Sequence, residues 1–134
     1  MARTRFETRY WTARLPDGWR GEHAGVGAAI FQREPVCGVL QISGFICNGN
    51  PASDDDLLGL IGSEQAELLP GCARLGRLTG FFNERPISGL RWSRWWLAAG
   101  KLIVFASYIV PDSEEYEAEQ NEAEELIASL WPKV

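Results

Sequence analysis

Histidine occurs once in the 134 residues, at His23, so most nucleophilic and zinc chemistries lose a required side chain at the outset. A Ser-His or Cys-His pair would have to use His23, which stands among Gly21, Gly25 and Gly27, and no serine lies in a G-x-S-x-G turn. Cysteine is almost as scarce. Cys37, Cys47 and Cys72 form no C-x-x-C pair and leave an odd count. If 38–46 is one extended strand, Cys37 and Cys47 stand ~30 Å apart, far beyond disulfide reach, so reduced, mostly buried thiols are expected. Long apolar runs are missing as well: the longest, LIVFASYIV at 102–110, is about half of the ~20 residues that a helical span needs. MARTRFETRYW carries early arginines without an apolar stretch behind them, which does not read as a secretory signal. A cytoplasmic protein with no membrane partner is expected. With no repeat or low-complexity block, residues 1–134 read as a single domain.

Acidic residues are plentiful but unevenly placed. Eighteen acids stand against 13 bases, giving a net charge of −5. From Asp112 to Glu125 there are eight carboxylates and no Lys or Arg, whereas Cys72 to Val110 holds six bases and one acid, Glu84. Asp54, Asp55 and Asp56 do not suggest a metal, because consecutive helical positions point ~100° apart and cannot converge on one ion. The G-V-G at 25–27 runs into AAIF, an apparent strand, and lacks the helix start that a phosphate loop uses. No cofactor is expected.

FETRYWTARLP (6–16) suits one strand or a bent strand pair ended by Pro16-Asp17-Gly18, and the later half of WRGEHAGVGAAIFQRE reads as a second strand broken at Pro35. In GVLQISGFIC (38–47), Leu40, Ile42, Gly44 and Ile46 share a core-compatible face. SDDDLLGLIGSEQAELLPG reads as a helix with Ser53 at its N-cap, acids in its first turn and Pro70-Gly71 at its end. Leu57, Leu58, Leu60, Ile61 and Leu68 form its apolar stripe. Strands are expected at about 73–82, 89–98 and 101–110, the last apolar on both faces and therefore central. An Ala99-Gly100 turn would set Trp96 opposite Ile103, Arg94 opposite Phe105 and Trp92 opposite Ser107. A second helix should run from Asp112 or Ser113 to Trp131, with Tyr116, Ala123, Ile127 and Leu130 inward and Glu114, Glu117, Glu122 and Glu125 outward. The fold class is α+β: an antiparallel sheet of about six strands flanked by two main helices, in the order β-β-β-α-β-β-β-α.

LPDGW at 15–19, LLPG at 68–71, the hairpin RWWLAAGKLIVFASYIVP at 94–111 and EELIASLW at 124–131 together resemble the PsbP-like/DcrB-like superfamily of small α+β domains. The resemblance spans nearly the whole chain as a pattern of element order and turns. It implies an antiparallel sheet flanked by helices and a role in binding other proteins. Some bacterial members are Eag-type chaperones for hydrophobic segments of secreted toxins, and similar domains serve as immunity partners of toxins. It carries no catalytic residues, and the dense acidic last helix and the Trp-Trp strand depart from such chaperones.

Two surfaces carry the functional expectations. RWSRWW at 91–96 could stack bases, but an acidic chain opposes the electrostatic attraction that dominates nucleic-acid affinity, so no nucleic acid is expected. The acidic helix is the stronger lead: carboxylates crowded at i,i+4 without a local cation repel one another, and a basic partner would relieve them. The expected function is non-catalytic: a bacterial immunity protein whose Glu114, Glu117, Glu122 and Glu125 bind a basic toxin. The alternatives are an effector chaperone with a groove around Trp92 and Trp96, or a small enzyme or ligand-binding domain with a pocket near His23. Oligomeric state is left open.

Overall fold

The computed structural model describes residues 4–33, 38–47, 49–61 and 71–133. Strands β1 (Thr4–Glu7) and β2 (Trp11–Leu15) form a hairpin, joined at the other edge of β2 by β10 (Trp131–Pro132) from the far end of the chain. The larger sheet holds β3 (Trp19–Gly25), β4 (Ala28–Arg33), β5 (Val39–Ile46), β6 (Gly71–Leu75), β7 (Leu78–Ile87), β8 (Leu90–Ala99) and β9 (Leu102–Pro111). Its seven strands run antiparallel in the order β3-β4-β5-β9-β8-β7-β6. Helix α1 (Asp54–Ile61) packs on β7 and β8, and α2 (Glu117–Ala128), entered through a 3-10 turn at Glu114–Tyr116, packs on β2, β6 and β9.

The α+β class and the antiparallel sheet match expectation, while the count of about six strands and the simple order do not. The described residues hold ten strands in two sheets. Two expected single strands are hairpins, because the glycines between their halves supply the positive φ of tight turns: Gly25 and Gly27 (φ 144° and 74°) between β3 and β4, and Gly76 (φ 60°) between β6 and β7. The β8–β9 turn is Gly100-Lys101, so Ala99 pairs with Leu102 and Trp96 lies opposite Phe105, Arg94 opposite Ser107 and Trp92 opposite Ile109. This register is two residues from the expected one. An even shift leaves every side chain on its expected face.

The last helix is shorter than its acidic run. Glu114–Tyr116 is a 3-10 turn, α2 ends at Ala128, and Trp131 is a strand residue paired with Thr12. In α1, Ser53 caps as expected: its Oγ accepts from the Asp56 N–H (3.2 Å), and Asp56 Oδ2 accepts from the Ser53 N–H (2.9 Å). The predicted apolar stripe does not hold, however. Leu57 is buried, but Leu58 and Leu60 are exposed, and Leu68 with the helix end at Pro70 lies outside the described residues, as do Pro35 and Cys37. Cys47 and Cys72 are free thiols, but neither is buried as expected: Cys47 is partly exposed and Cys72 lies exposed on β6, at the edge of the sheet.

The main core lies between the two sheets and α2. It joins Trp11, Leu15, Phe31, Leu40, Ile42, Trp95, Leu97, Val104 and Tyr108 to Ala123, Leu126, Ile127 and Leu130. Trp11 ties the layers together: its indole N–H donates to the Gly27 carbonyl (2.9 Å), and its ring fills the space where Gly44 lacks a Cβ. β9 is the central strand, as its apolar sequence predicts. On the opposite face a smaller cluster of Leu57, Ala98 and Ile103 anchors α1. No helix among the described residues is long and apolar enough to cross a membrane.

Candidate functional site

The carboxylates of the acidic run are sorted by their position around the helix. Glu119 lies beside the apolar stripe and is 5% exposed; its Oε1 accepts from the Gly38 N–H at 2.9 Å. Glu122 sits 2.9 Å from Arg33 Nη1 and accepts from the Trp19 indole N–H at 3.3 Å. Asp112 pairs with Arg91 at 3.3 Å. The expectation that no cation relieves this run is therefore corrected, because Arg33 of β4 and Arg91 of β8 reach it from the sheet. Glu122 is committed to the fold. Glu114, Glu115 and Glu117 are exposed and have no ion pair among the described residues, and Glu125 is exposed on the same outer face.

Behind the ridge, α2 meets the large sheet through polar groups. Arg91 Nη1 donates to Gln120 Oε1, Gln120 Nε2 donates to Glu84 (2.9 Å), and the Ser93 hydroxyl donates to the same carboxylate (3.1 Å). Ser93 and Gln120 are buried. Burial pushes the Glu124 carboxyl above the usual range; a hydrogen bond from Gln120 opposes that shift and the Glu84 charge adds to it. A shallow cleft of about 240 Å³ opens here, lined by Glu84, Arg91, Glu117, Gln120 and Asn121. The network fixes α2 against β7 and β8, and so fixes the base of the ridge. Glu119, Gln120 and Arg33 were not singled out from the sequence. The 100° periodicity that identifies Ala123 and Ile127 as inward also places Glu119 and Gln120 beside them.

RWSRWW divides between the two faces of β8. Trp95 packs in the main core against Phe82, with ring centroids 5.4 Å apart. Trp96 faces the other way, tilted on Phe105 at 5.7 Å, and is 2% exposed, so in this conformation it offers no contact surface. Trp92 is half-buried beneath Arg94, whose guanidinium carbon lies 5.4 Å from its ring centroid. The Trp92 indole N–H and Asn83 Oδ1, both on strands of this face, are buried without a hydrogen-bond partner among the described residues. Phe45 is exposed on the same face beside a cleft of about 650 Å³ under α1. The sequence joins Trp92 and Trp96 in one groove; the structure buries one of them and leaves the other partly open.

His23 is exposed on edge strand β3, stacked on Phe6 at 4.7 Å, and lines neither cleft. No group of three His, Cys, Asp or Glu suited to a metal occurs among the described residues.

These features define a strand-rich α+β domain with a carboxylate ridge on one helix and a half-covered sheet face. No protein-family model matches the chain, and no curated protein is similar to it in sequence. Among solved structures, it is similar to a crystal structure at 1.50 Å of a protein from Bacteroides thetaiotaomicron VPI-5482, with a TM-score of 0.74 and 20% identity. That similarity covers all of this chain and half of the other, and it concerns the fold.

Proposed function

We propose that the chain is a non-catalytic protein-binding domain of the PsbP-like kind, and specifically a cytoplasmic bacterial immunity protein whose acidic ridge docks a basic toxin. The observation that carries this reading is the contrast along one helix. Asp112, Glu119 and Glu122 are neutralised or hydrogen-bonded within the fold, whereas Glu114, Glu115 and Glu117 stand exposed with no ion pair among the described residues. The helix dipole favours acids in its first turn, but Glu114 and Glu115 lie ahead of it, in the 3-10 turn that precedes α2. A basic partner would be steered to this ridge and would relieve its mutual repulsion. Glu122 leaves the expected contact set because Arg33 holds it.

Affinity capture from the native organism at low ionic strength tests the proposal, comparing wild type with a variant carrying Gln at Glu114, Glu115, Glu117 and Glu125. A basic protein retained by wild type and lost by the variant is expected; equal retention by both contradicts it. The second reading is an effector chaperone holding an apolar helix against the sheet face. It draws on the unpartnered Trp92 indole N–H and the exposed Phe45. Capture of an apolar segment that survives high salt and is lost with Trp92→Ala would favour it.

A further inference from the structure

Three of the 13 basic side chains of this acidic chain gather at the C-terminal end of α2. Pairing of β1 with β2 sets Arg5 directly opposite Arg14, and the β6–β7 turn brings Arg77 to the same cleft, which has a volume of about 810 Å³. Thr12, Ser129 and Trp131 complete its walls, and no carboxylate lines it. Like charges directly across an antiparallel pair are destabilising. Glu7 offsets one of them, at 3.0 Å from Arg5. Arg14 has no ion pair among the described residues, and Arg77 has only the Trp131 ring, 3.0 Å from its guanidinium carbon. With 18 acids available against 13 bases, leaving two neighbouring guanidiniums without a carboxylate calls for an explanation.

The backbone beneath these arginines is fixed. Gly76 (φ 60°) lies so close to the Ala128 carbonyl that a Cβ there would collide with it, which locks the turn carrying Arg77 against the end of α2. On the facing wall the Arg14 N–H donates to Ser129 Oγ (2.9 Å), whose hydroxyl donates to the Leu126 carbonyl (2.6 Å). Trp131 is held by strand pairing with Thr12. With the backbone already held, ligand binding would have to order only the arginine side chains.

The geometry points to a binding site for a small phosphorylated ligand, with the phosphate between Arg14 and Arg77, Arg5 at the rim, and a planar group against Trp131. One guanidinium fork satisfies a carboxylate, whereas several forks suit the oxygens of a phosphate. The volume falls within the ~300–1,000 Å³ usual for small-molecule sites, and Trp131 is 56% exposed. A purely structural account would have the arginines complement the carbonyl end of α2. That account predicts an effect on stability and no ligand. The site is distinct from the ridge: Glu114, Glu115 and Glu117 stand at the opposite end of a helix ~18 Å long, and Glu125 does not line the cleft.

The test titrates the full chain with sodium pyrophosphate and with adenosine monophosphate, against sodium chloride at matched ionic strength. The readouts are the Trp131 indole N–H resonance, assigned with Trp131→Phe, and the melting temperature. Saturable shifts and a raised melting temperature are expected with the phosphates and not with chloride. A further shift with the nucleotide over pyrophosphate separates ring stacking from phosphate binding alone. Arg14→Gln and Arg77→Gln, both at exposed side chains, should keep the fold and weaken binding by about tenfold or more each. Non-saturable shifts, equal shifts with chloride, or unchanged affinity in the two variants overturn the proposal. So does a lowered melting temperature in the variants with no ligand response in wild type.

Discussion

Glu119 and Glu114 are five positions apart in one acidic run, yet substitutions at them should behave quite differently. Glu119→Ala strands the Gly38 N–H that its carboxylate now accepts and should cost about 1–3 kcal/mol in urea unfolding. Glu114→Gln, at an exposed side chain with no ion pair among the described residues, should stay within about 0.5 kcal/mol of wild type. Gly76→Ala should destabilise by at least about 1 kcal/mol, since φ 60° strains an L-residue and the added Cβ meets the Ala128 carbonyl. The sequence made the run visible but not this sorting. A count of carboxylates treats Glu122 like Glu117, whereas Arg33, which neutralises Glu122, lies some ninety positions earlier and is brought to it only by the packing of β4 beneath α2.

Helix capping and single-face periodicity were legible in several elements. The Ser53 cap, the alternation of β5 and the inward face of α2 all follow from local pattern, because caps and single-face burial are decided within a few residues. Strand number was not, because glycines at 25, 27 and 76 read equally well as flexible strand positions until φ is known. The β8–β9 register slipped by two for the same reason: Gly100 with Lys101 and Ala99 with Gly100 are both plausible turns. The packing of α2 on the large sheet also carries a pH dependence. Because the folded Glu124 carboxyl titrates above its unfolded range, the folded state binds more protons between those two values. Stability should therefore fall as pH rises through that interval, and the full penalty should persist above it. Glu124→Gln should melt higher than wild type at pH 7 and match it under acid conditions where both states are protonated, as thermal unfolding across pH would record.

The molecule as a whole is built around β9, whose apolar sequence on both faces marked it as central, and around a second sheet that the sequence did not reveal. That sheet joins β10 to β2 from opposite ends of the chain, a pairing with no local signature. The same closure places the basic cleft at the C-terminal end of α2, away from Glu114, Glu115 and Glu117 at its start, giving a net charge of −5 a polarity that composition does not show. The central claim is that the ridge binds a basic protein through charge. Its most direct test is the dissociation constant of the captured complex measured across ionic strength, for wild type and for the variant with Gln at Glu114, Glu115, Glu117 and Glu125. The account predicts that wild-type affinity falls steeply as salt rises and that the variant binds weakly with little salt dependence. Affinity that is the same in both proteins and indifferent to salt would contradict it.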